Sequence, residues 1–306
     1  MNFKSNILIV GGTGFIGYHL AKKSLKKGWQ VTSISLRPPK KIRYLPQVKY
    51  IHCDIAKKKS LKRNIRGSFS YVVNLGGHVV HSHKKKTFAS HYTGCKNLTE
   101  IFLKKTPLSF VQIGSSLEYG NSNSPQKENI KCNLRSIKSI YGKAKLLSSR
   151  YVINLFKKKN FPSTVLRPYL VYGPRQDVKR FLPLTITGCI KNKKFPCSKG
   201  VQLRDFIHVQ DVVSAIVKSL INKNARGQII NIGSGKPRKI RSVIEDVKKI
   251  SKGGYPQYGT FKLRKFEILK LYPNIKKANK IINWRPKISF RKGLRSTIKY
   301  YNERKI

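Results

Sequence analysis

The sequence predicts an α/β fold in which a doubly wound parallel sheet is followed by a smaller C-terminal α/β lobe. Three observations lead to this prediction. An apolar run, Ile7 to Val10, enters a glycine-rich stretch that ends at Gly17. Strand-like and helix-like segments then alternate, which implies parallel crossovers. After Tyr172-Gly173-Pro174 the pattern becomes irregular, so we place the boundary there, with a first domain over 1–172 and a second over 173–306, from which some segments cross back.

The predicted elements follow from short apolar runs between turn residues and from helical periodicity. The strands of the sheet are Ile7 to Val10, Val31 to Leu36, Val48 to His52, Tyr71 to Leu75, and finally Phe110 to Ile113 and Thr164 to Tyr169 as its last two. The helices between them are Phe15 to Lys27, Thr87 to Lys105 and Tyr141 to Lys159. The second domain is predicted to contain helices at Phe181 to Lys191 and Val212 to Ile221 and a strand at Gln228 to Ile232.

The charge of the chain is extreme, with 66 Lys and Arg against 11 Asp and Glu and a formal net charge of +55. A localised basic face would predict a nucleic-acid or membrane partner. Short lysine runs such as Lys57 to Lys59 and Lys157 to Lys159 instead lie in nearly every predicted helix and loop. We therefore expect a bias of the whole surface, with non-specific polyanion binding at low salt and no specific nucleic-acid partner.

Cysteine and carboxylate usage disfavours several classes of protein. The five cysteines are odd in number and contain no CxxC pair, which fits neither a zinc ribbon nor a disulfide framework. The eleven carboxylates include no recognisable glycosidase or two-metal pair. No apolar run approaches membrane-spanning length, and Ile7 enters a strand without a preceding apolar signal region. We expect a cytoplasmic protein without membrane insertion.

The stretch Gly11-Gly12-Thr13-Gly14-Phe15-Ile16-Gly17 is the first candidate binding site. Between a strand and a helix, glycines let backbone N–H groups approach a pyrophosphate at the helix N-terminus. The alternative is a purely structural turn, and the strand before the loop and the helix after it argue against this alternative. The sequence thus predicts dinucleotide binding at Gly11, Gly14, Phe15, Ile16 and Gly17.

The end of the second strand indicates which dinucleotide is bound. Chains that bind NAD place an acid about 20 residues beyond the loop to hold the ribose hydroxyls. This chain has Ser35 there and Arg37 two residues later. A serine with a nearby arginine suits a 2′-phosphate, so NADP is slightly favoured over NAD. The alternative is that Arg37 is one more surface cation in a basic chain.

Tyr141 and Lys145 form the second candidate site. On a helix the spacing i, i+4 puts both side chains on one face, where the ammonium can lower the phenol pKa from about 10 towards neutrality. Six tyrosines of this lysine-rich chain have a lysine at i+4, so the spacing alone is weak evidence. Only Tyr141 opens a predicted helix that follows a serine-ended strand, Phe110 to Ser115.

The glycine loop, Ser115 and the Tyr141–Lys145 pair, in this order, resemble the extended short-chain dehydrogenase/reductase family, and within it the nucleotide-sugar epimerases and reductases of the NAD-dependent epimerase/dehydratase type. The resemblance spans nearly the whole chain and implies a Rossmann-type domain with a substrate-binding lobe. It implies that Tyr141 moves a proton and that Lys145 tunes Tyr141 and holds the nicotinamide ribose. Ser115 would orient the reacting sugar oxygen, a role for which Ser116 could substitute.

Three further places resemble the family. Cys53-Asp54-Ile55 matches the segment that meets the adenine, which implies that Asp54 and Ile55 contact the cofactor. Arg204 and Arg264 stand where members of the family bind the substrate diphosphate, and a guanidinium fork suits phosphate oxygens. His91 departs from the family, which usually has asparagine at this position.

Three histidines, His78, His81 and His83, crowd the loop after the fourth predicted strand. Such a cluster could bind a metal. No carboxylate or cysteine is close in sequence, however, and the resembled family lines its cofactor with this loop. We therefore predict no metal site, and contact with the substrate is an alternative role for any of the three.

The segment Gly114 to Gly120 distinguishes reactions within the resembled family. Sugar 4,6-dehydratases carry an Asp-Glu pair directly after the catalytic hydroxyl, whereas this chain has Ser116 and Leu117 there. Glu118 comes one residue too late, and strand alternation would point it to the other face from Leu117. Dehydration is therefore disfavoured, which leaves epimerisation or reduction at a keto carbon.

The predicted function is NAD(P)-dependent redox chemistry on a nucleotide-activated sugar, first of all reduction of a 4-keto group. The alternative is a 4-epimerase with tightly bound NAD, and a remote alternative is a non-catalytic dinucleotide- or RNA-binding protein. Ser35 and Arg37 favour the reductase, because a consumed reductant is usually NADPH. The resemblance also predicts a homodimer that forms through the helices near Thr87 to Lys105 and Tyr141 to Lys159.

Overall fold

The computed structural model of the protein describes residues 5–78, 80, 82–263 and 267–304. Two residues singled out in the sequence, His81 and Arg264, lie outside the described residues. The strands, in chain order, are β1 (Asn6–Val10), β2 (Gln30–Ser35), β3 (Val48–His52), β4 (Tyr71–Asn74), β5 (Ser109–Ile113), β6 (Ser163–Pro168), β7 (Leu170–Tyr172), β8 (Lys194–Cys197), β9 (Leu203–Arg204), β10 (Phe206–His208), β11 (Ile229–Ile232), β12 (Arg238–Lys239), β13 (Tyr255–Tyr258) and β14 (Lys270–Leu271).

The helices flank these strands. They are α1 (Phe15–Lys26), α2 (Lys58–Asn64), α3 (Lys84–Phe88), α4 (Gly94–Lys104), α5 (Ile140–Lys159), α6 (Phe181–Ile190), α7 (Val209–Ile221), α8 (Ile240–Ser251), α9 (Lys276–Ile282) and α10 (Phe290–Asn302). Three of the five that were predicted, α1, α5 and α6, begin and end within one residue of the predicted bounds, whereas α7 begins three residues earlier than predicted. None of the helices in the described part of the chain combines the length and apolar character needed to cross a membrane.

A parallel sheet of seven strands forms the centre of the described structure, in the order β11-β6-β5-β4-β1-β2-β3. Side chains alternate between its two faces. On one face Ile7 and Ile9 pack with residues of α1 and α7, whereas on the other face Leu8 and Val10 pack with residues of α2, α4 and α5. Both faces are therefore covered by helices, as expected for a parallel sheet, and the predicted Rossmann-type α/β fold is confirmed.

One prediction about this sheet is wrong, because β5 and β6 are not its last strands. β11 lies beyond β6 and pairs with it in parallel, with Ile229 opposite Val165 and Ile232 opposite Pro168. The preceding helix α7 packs into the core beneath the sheet, which brings the chain back to the edge of the sheet. The domain boundary near residue 172 stays a prediction, since the sheet takes its last strand from well beyond that point.

The predicted helix from Thr87 to Lys105 is divided in the structure. The helix α3 ends at Phe88, a π-helical turn covers Ala89–Thr93, and α4 begins at Gly94. A π-helical turn holds an extra residue in the helical ladder and is frequent at functional sites. It places His91 at the centre of the irregular turn.

The segment after β7 connects the sheet to the C-terminal helices through Arg175. This residue has a left-handed backbone conformation, with φ of 69°, which is uncommon for a non-glycine residue. Its guanidinium lies 4.7 Å from the ring centroid of Tyr18 on α1 and 5.9 Å from that of Tyr300 on α10. Its carbonyl accepts two hydrogen bonds from Arg43, at 3.1 and 2.6 Å. Three separate segments thus meet at one residue.

Candidate active site

The carboxyl ends of four neighbouring strands meet at one edge of the sheet. In the register of the sheet, Val10 lies opposite both Ile34 and Asn74, and Asn74 lies opposite Gln112. The loops that follow β1, β2, β4 and β5 therefore begin side by side. Ligands of open parallel sheets bind outside this edge, and the predicted site residues of the first domain lie on these loops, at the N-terminus of α1, after the neighbouring strand β3 and on α5.

The glycine loop after β1 is compact because its backbone closes on itself. The N–H of Gly11, whose φ is 80°, donates to the carbonyl of Ile34 at 2.7 Å, and that of Gly14 donates to the carbonyl of Gly11 at 3.0 Å. A Cβ on Gly17 would overlap the carbonyl oxygen of Gly11 and lie 2.6 Å from the Cα of Gly12. Only glycine lets α1 approach the loop this closely.

The same loop can hold an anion. The helix α1 begins at Phe15, with Gly14 as N-cap and without an acidic residue in its first turn, which also contains Ile16. Unpaired N–H groups and the positive end of the helix dipole favour a phosphate at such a position. The residues present therefore fit a dinucleotide pyrophosphate, and its binding at this loop stays a prediction.

The end of β2 supports the loop from the side. The Ser35 hydroxyl accepts a hydrogen bond from the N–H of Thr13 at 3.3 Å and is buried, whereas Arg37 is exposed. After β3, the carboxylate of Asp54 accepts the N–H of Ala56 at 2.9 Å, and Ile55 is buried. These residues line the same edge, and their contacts with a cofactor stay predictions.

The helix α5 brings the predicted catalytic residues together. It begins behind Ser139, whose hydroxyl caps it by accepting the N–H of Gly142 at 3.0 Å. The Lys145 ammonium lies 5.9 Å from the ring centroid of Tyr141 and donates to the carbonyl of Ile113 at 2.6 Å. The side chain of Ser115 hydrogen-bonds with the Tyr141 phenol. Ser115, Tyr141 and Lys145 therefore form one cluster at the end of β5.

The acid–base properties of this cluster differ from the expectation. Burial lowers the pKa of Lys145 to about 8, and the nearby Glu118 carboxylate opposes this change. Burial also raises the pKa of Tyr141, with Glu118 adding to the increase, while the Ser115 hydrogen bond and Arg180 act in the opposite direction. The phenol pKa is thus raised and not lowered towards neutrality in this structure, because removal from water outweighs the effects of Ser115 and Arg180; the tuning of Tyr141 by Lys145 stays a prediction. The Tyr141 phenol is therefore protonated at neutral pH.

The segment after Ser115 contains a carboxylate whose role the sequence did not suggest. Residues Ser116–Tyr119 form a 3₁₀ turn instead of a continuing strand, so the predicted strand alternation of Glu118 is wrong. The Glu118 carboxylate is fully buried, accepts the N–H of Ser115 at 2.7 Å and pairs with Arg167 at 2.8 Å. The scarcity of acids in the chain was the only sequence signal that pointed to it.

The residues predicted to bind substrate are only partly brought together. Ser116 is buried in the 3₁₀ turn next to Ser115. The guanidinium of Arg204 pairs with Glu267 and donates to the carbonyls of Leu203 and Leu269, at 2.9 and 3.3 Å. A diphosphate would have to compete with the Glu267 carboxylate for this side chain. The roles of Ser116 and Arg204 stay predictions.

His91 lies between Tyr141 and the loop after β4. Its ring meets the ring of Tyr141 edge-on, with centroids 4.9 Å apart, and its Nε2 is 3.3 Å from the carbonyl oxygen of His78. A Cβ on Gly77 would fall within the His91 ring, so the imidazole fills the space next to that backbone. The sequence had singled out His91 only as a departure from the resembled family.

The histidines of the β4 loop form a pair in the described structure. Nε2 of His78 is 3.3 Å from Nδ1 of His83, and the two rings are stacked with centroids 5.4 Å apart. Burial lowers the pKa of His78, and the nearby His83, Lys86 and Arg37 lower it further. Within the described ranges no group of three His, Cys, Asp or Glu side chains is arranged to hold a metal ion.

Comparison with known proteins extends this picture. The family model of the NAD dependent epimerase/dehydratase family matches residues 7–233. The chain is 25% identical to UDP-N-acetyl-alpha-D-glucosaminuronate decarboxylase of Bacillus cytotoxicus over 98% of both chains. Its fold is similar to that of UDP-glucose 4-epimerase of Thermotoga maritima with UDP-glucose, with a TM-score of 0.90, 24% identity, and coverage of 98% and 100% of the two chains.

A second solved structure has a similar fold. It is UDP-glucuronic acid 4-epimerase of Bacillus cereus in complex with UDP-glucuronic acid and NAD, with a TM-score of 0.86 and 24% identity. The match covers 97% of this chain and 99% of that one. The similarity therefore includes both the glycine-loop half and the C-terminal segments.

Proposed function

Because this chain belongs to the NAD-dependent epimerase/dehydratase family, we propose that it is an enzyme that moves a hydride between a nicotinamide dinucleotide and a carbon of a nucleotide-activated sugar. The observation that carries this proposal is the cluster of Ser115, Tyr141 and Lys145 at the end of β5. The cluster lies on the same sheet edge as the glycine loop. Proton transfer and cofactor binding would thus take place side by side.

Each residue of the cluster has a distinct task in this mechanism. The dinucleotide supplies or takes up the hydride. The Ser115 hydroxyl orients the reacting sugar oxygen, and the Tyr141 phenol exchanges a proton with it. The Lys145 ammonium has three donors, of which one holds the Ile113 carbonyl, and we propose that another binds the nicotinamide ribose. Burial of the cluster strengthens these polar interactions, since little water competes with them.

Reduction of a keto group is the first candidate reaction. A phenol whose pKa is raised stays protonated at neutral pH, which suits a proton donor to an oxygen that becomes an alcohol. Position 35 holds a serine and not a carboxylate, which would repel a 2′-phosphate. The exposed Arg37 can bind such a phosphate. Both residues support NADPH as the reductant. We propose a 4-keto sugar as the substrate, with Arg204 and Arg264 near its diphosphate.

Epimerisation at C4 is the second candidate, and the solved relatives favour it. The two epimerase structures described above were determined with UDP-glucose and with UDP-glucuronic acid and NAD. An epimerase uses the same three residues but oxidises and re-reduces one sugar, so its cofactor stays bound. The two candidates therefore differ in which dinucleotide remains with the protein.

The experiment that tests both candidates is the identification of the dinucleotide. The purified protein is denatured, and any released dinucleotide is identified by mass and near-ultraviolet absorbance. One NAD per chain would support the epimerase and contradict the proposed role of Ser35 and Arg37. An empty protein that binds added NADPH more tightly than NADH would support the reductase. A protein that binds no dinucleotide would overturn the proposed function.

The proposed assembly is a homodimer that forms through α4 and α5, the two long helices on one side of the sheet. Sedimentation of the purified protein at several salt concentrations would test it. We expect the mass of two chains at moderate salt, because the high positive charge of each chain opposes association when screening is weak. The mass of one chain at all salt concentrations would contradict the dimer.

A further inference from the structure

The Glu118 carboxylate is the buried group that the mechanism above leaves without a task. It is 0% exposed. One of its oxygens accepts the N–H of Ser115 at 2.7 Å, and the other accepts two N–H groups of Arg167, each at 2.8 Å. The free-energy cost of removing two charged groups from water can exceed the attraction between them. A function beyond stability would therefore explain why this pair is buried here.

We propose that Glu118, held by Arg167, is a positioning residue for Ser115, and that its charge sets the electrostatic balance of the Tyr141–Lys145 pair. This inference rests on the proposed function and deepens it. It concerns two residues of this chain to which neither the family resemblance nor the comparisons give a role. Glu118 would act through Ser115 and through its charge, without touching the substrate.

The turn after β5 fixes the backbone of Ser115. The Ser115 hydroxyl accepts the N–H of Leu117 at 3.2 Å, while Glu118 returns to the N–H of Ser115, which together form a reciprocal capping box. Both bonds hold the backbone of Ser115 in one orientation. A Cβ on Gly114 would overlap the Glu118 carboxylate and lie 3.1 Å from Cγ of Arg167, so glycine makes room for this arrangement.

Arg167 is itself fixed from the opposite side. Its guanidinium lies 4.6 Å from the ring centroid of Tyr119. The Tyr119 hydroxyl in turn donates to the side-chain oxygen of Asn231 at 2.8 Å. Asn231 belongs to β11, the edge strand of the sheet. Contacts therefore run from the edge of the sheet through Arg167 and Glu118 to the hydroxyl that meets Tyr141.

Several charged and titratable groups surround the Tyr141–Lys145 pair, and one of them is the buried Cys95 thiol close to Lys145. His91 faces its ring from the π-helical turn, Lys145 lies on the same helix, and Arg180 approaches from the N-terminus of α6. Glu118 is the nearby carboxylate that raises the pKa of Tyr141 and opposes the lowering of the pKa of Lys145. One charge thus acts on both groups in the same direction.

The first test removes that charge. In Glu118→Gln the amide oxygen can still accept the Ser115 N–H, but Arg167 loses its counter-charge. We expect the ionisations of the Tyr141–Lys145 pair to move to lower pH, since positive charge disfavours the ammonium and favours the phenolate. The matched control is Glu303→Gln, which removes an exposed carboxylate paired with Lys299.

The measurement does not depend on the substrate. The protein is labelled with 3-fluorotyrosine, and the Tyr141 resonance among the fifteen tyrosines is assigned by its loss in Tyr141→Phe. Its ¹⁹F shift is then followed with pH in the wild type and both variants. A shift of the titration to lower pH in Glu118→Gln alone supports the electrostatic role. Identical titrations in all three proteins would overturn that role.

The second test separates positioning from folding. Two double variants, Glu118→Gln with Arg167→Met and Glu118→Val with Arg167→Met, both lack the buried charges, and charge-free replacements of buried ion pairs usually fold. Only the first retains an acceptor for the Ser115 N–H. We expect kcat of the valine variant to be lower by on the order of tenfold with little change in KM. Equal kcat values in the two folded variants would overturn the positioning role.

The two proposals fail in different ways. If the wild type turns over no nucleotide sugar, the proposed function is overturned, while the ¹⁹F titration still decides the role of the Glu118 charge. If Glu118→Gln does not fold, the comparison of the double variants decides the positioning role. Unequal melting temperatures without any change in titration or kcat would show that the buried ion pair only stabilises the fold.

Discussion

The glycine loop and the Ser115–Tyr141–Lys145 cluster share one edge of the sheet but are constructed in opposite ways. The loop consists of backbone, and its geometry depends on missing Cβ atoms, as at Gly17. The cluster consists of polar side chains, of which Tyr141 and Lys145 are titratable, and its protonation depends on burial and on the nearby Glu118, which pairs with Arg167. Function of the glycine loop should therefore be sensitive mainly to added side-chain atoms. Function of the Ser115–Tyr141–Lys145 cluster should be sensitive mainly to changes of charge and hydrogen bonding.

The largest effect is expected for Tyr141→Phe, which should lower kcat strongly and leave the affinity for the dinucleotide nearly unchanged. Loss of the phenol removes the proton donor, so kcat should fall on the order of 1,000-fold. The Kd of the dinucleotide should change by less than about threefold, because the glycine loop that would bind the pyrophosphate follows β1, whereas Tyr141 lies on α5. The measurements are steady-state kinetics and calorimetric titration with the dinucleotide.

The control for this variant is Tyr151→Phe, which removes a hydroxyl from the same helix about three turns further on, where Tyr151 meets Tyr92. Its kcat should match that of the wild type. A Tyr141→Phe enzyme with near-normal kcat would mean that another group transfers the proton. The assignment of proton transfer to the Ser115–Tyr141–Lys145 cluster would then be wrong.

The opposite result is expected for Gly17→Ala, which should weaken dinucleotide binding more than it lowers kcat. A Cβ at this position overlaps the carbonyl oxygen of Gly11, so either α1 or the loop must move away. The Kd of the dinucleotide should rise tenfold or more, which corresponds to about 1.4 kcal/mol, while kcat at saturating dinucleotide changes less. The measurement is the same calorimetric titration.

Gly67→Ala is the matched control, because a Cβ at Gly67 would meet no atom within 4 Å. Its Kd should equal that of the wild type. If Gly17→Ala binds the dinucleotide with the wild-type Kd, then binding does not depend on the close approach of the loop and α1. The prediction that the glycine loop is sensitive to added side-chain atoms would then be wrong.

A smaller effect is expected from pH, through Lys145. Its pKa of about 8 means that the ammonium loses its proton as pH rises above this value, so activity should fall through an alkaline limb near pH 8. At pH 9 the loss should be roughly tenfold relative to the charged state. An arginine stays protonated throughout this range.

Lys145→Arg should therefore flatten the alkaline limb even if its activity at neutral pH is lower. The measurement is kcat from pH 6 to 10 for both proteins at saturating substrate. If the limb persists at the same pH in the arginine variant, then Lys145 does not cause it, and another group must titrate there.

The smallest effect concerns the glycine-loop region, where a buried histidine lies on the helix that follows the loop. His19 on α1 is 6% exposed, its Nε2 lies 2.9 Å from the carbonyl oxygen of Pro174, and burial lowers its pKa to about 4. The unfolded chain binds more protons between pH 6.5 and 4, so the free energy of unfolding should fall as pH decreases through this window.

From pH 7 to pH 5 the contribution of His19 is about 2 kcal/mol, and His19→Gln should remove it. The measurement is urea unfolding at both pH values, with the exposed His52→Gln as control. The same pH dependence in His19→Gln and the wild type would assign the loss of stability to other groups, such as His208, whose pKa is also lowered to about 4 by burial.

Local spacing explains what the sequence predicted correctly. The glycine loop lies within seven residues, and Tyr141 and Lys145 are one helical turn apart, so strand, loop and helix preferences were sufficient to place them. The seven-stranded sheet was largely predictable for the same reason. The family resemblance then added Ser115, which the structure places within hydrogen-bonding reach of Tyr141.

Long-range contacts explain what the sequence could not show. Glu118 and Arg167 are 49 residues apart in sequence, and no local pattern pairs them. The pairing of β11 with β6 likewise depends on where α7 packs. The direction of the Tyr141 pKa depends on how much water the folded chain excludes, which no spacing of residues reveals.

The joint at Arg175 limits how the two halves of the molecule can move. A rotation about this segment would have to separate its guanidinium from the rings of Tyr18 and Tyr300 and its carbonyl from Arg43. The strain of its left-handed backbone is thereby balanced by contacts on both sides. Contacts with three segments of the chain therefore oppose rotation about this connection.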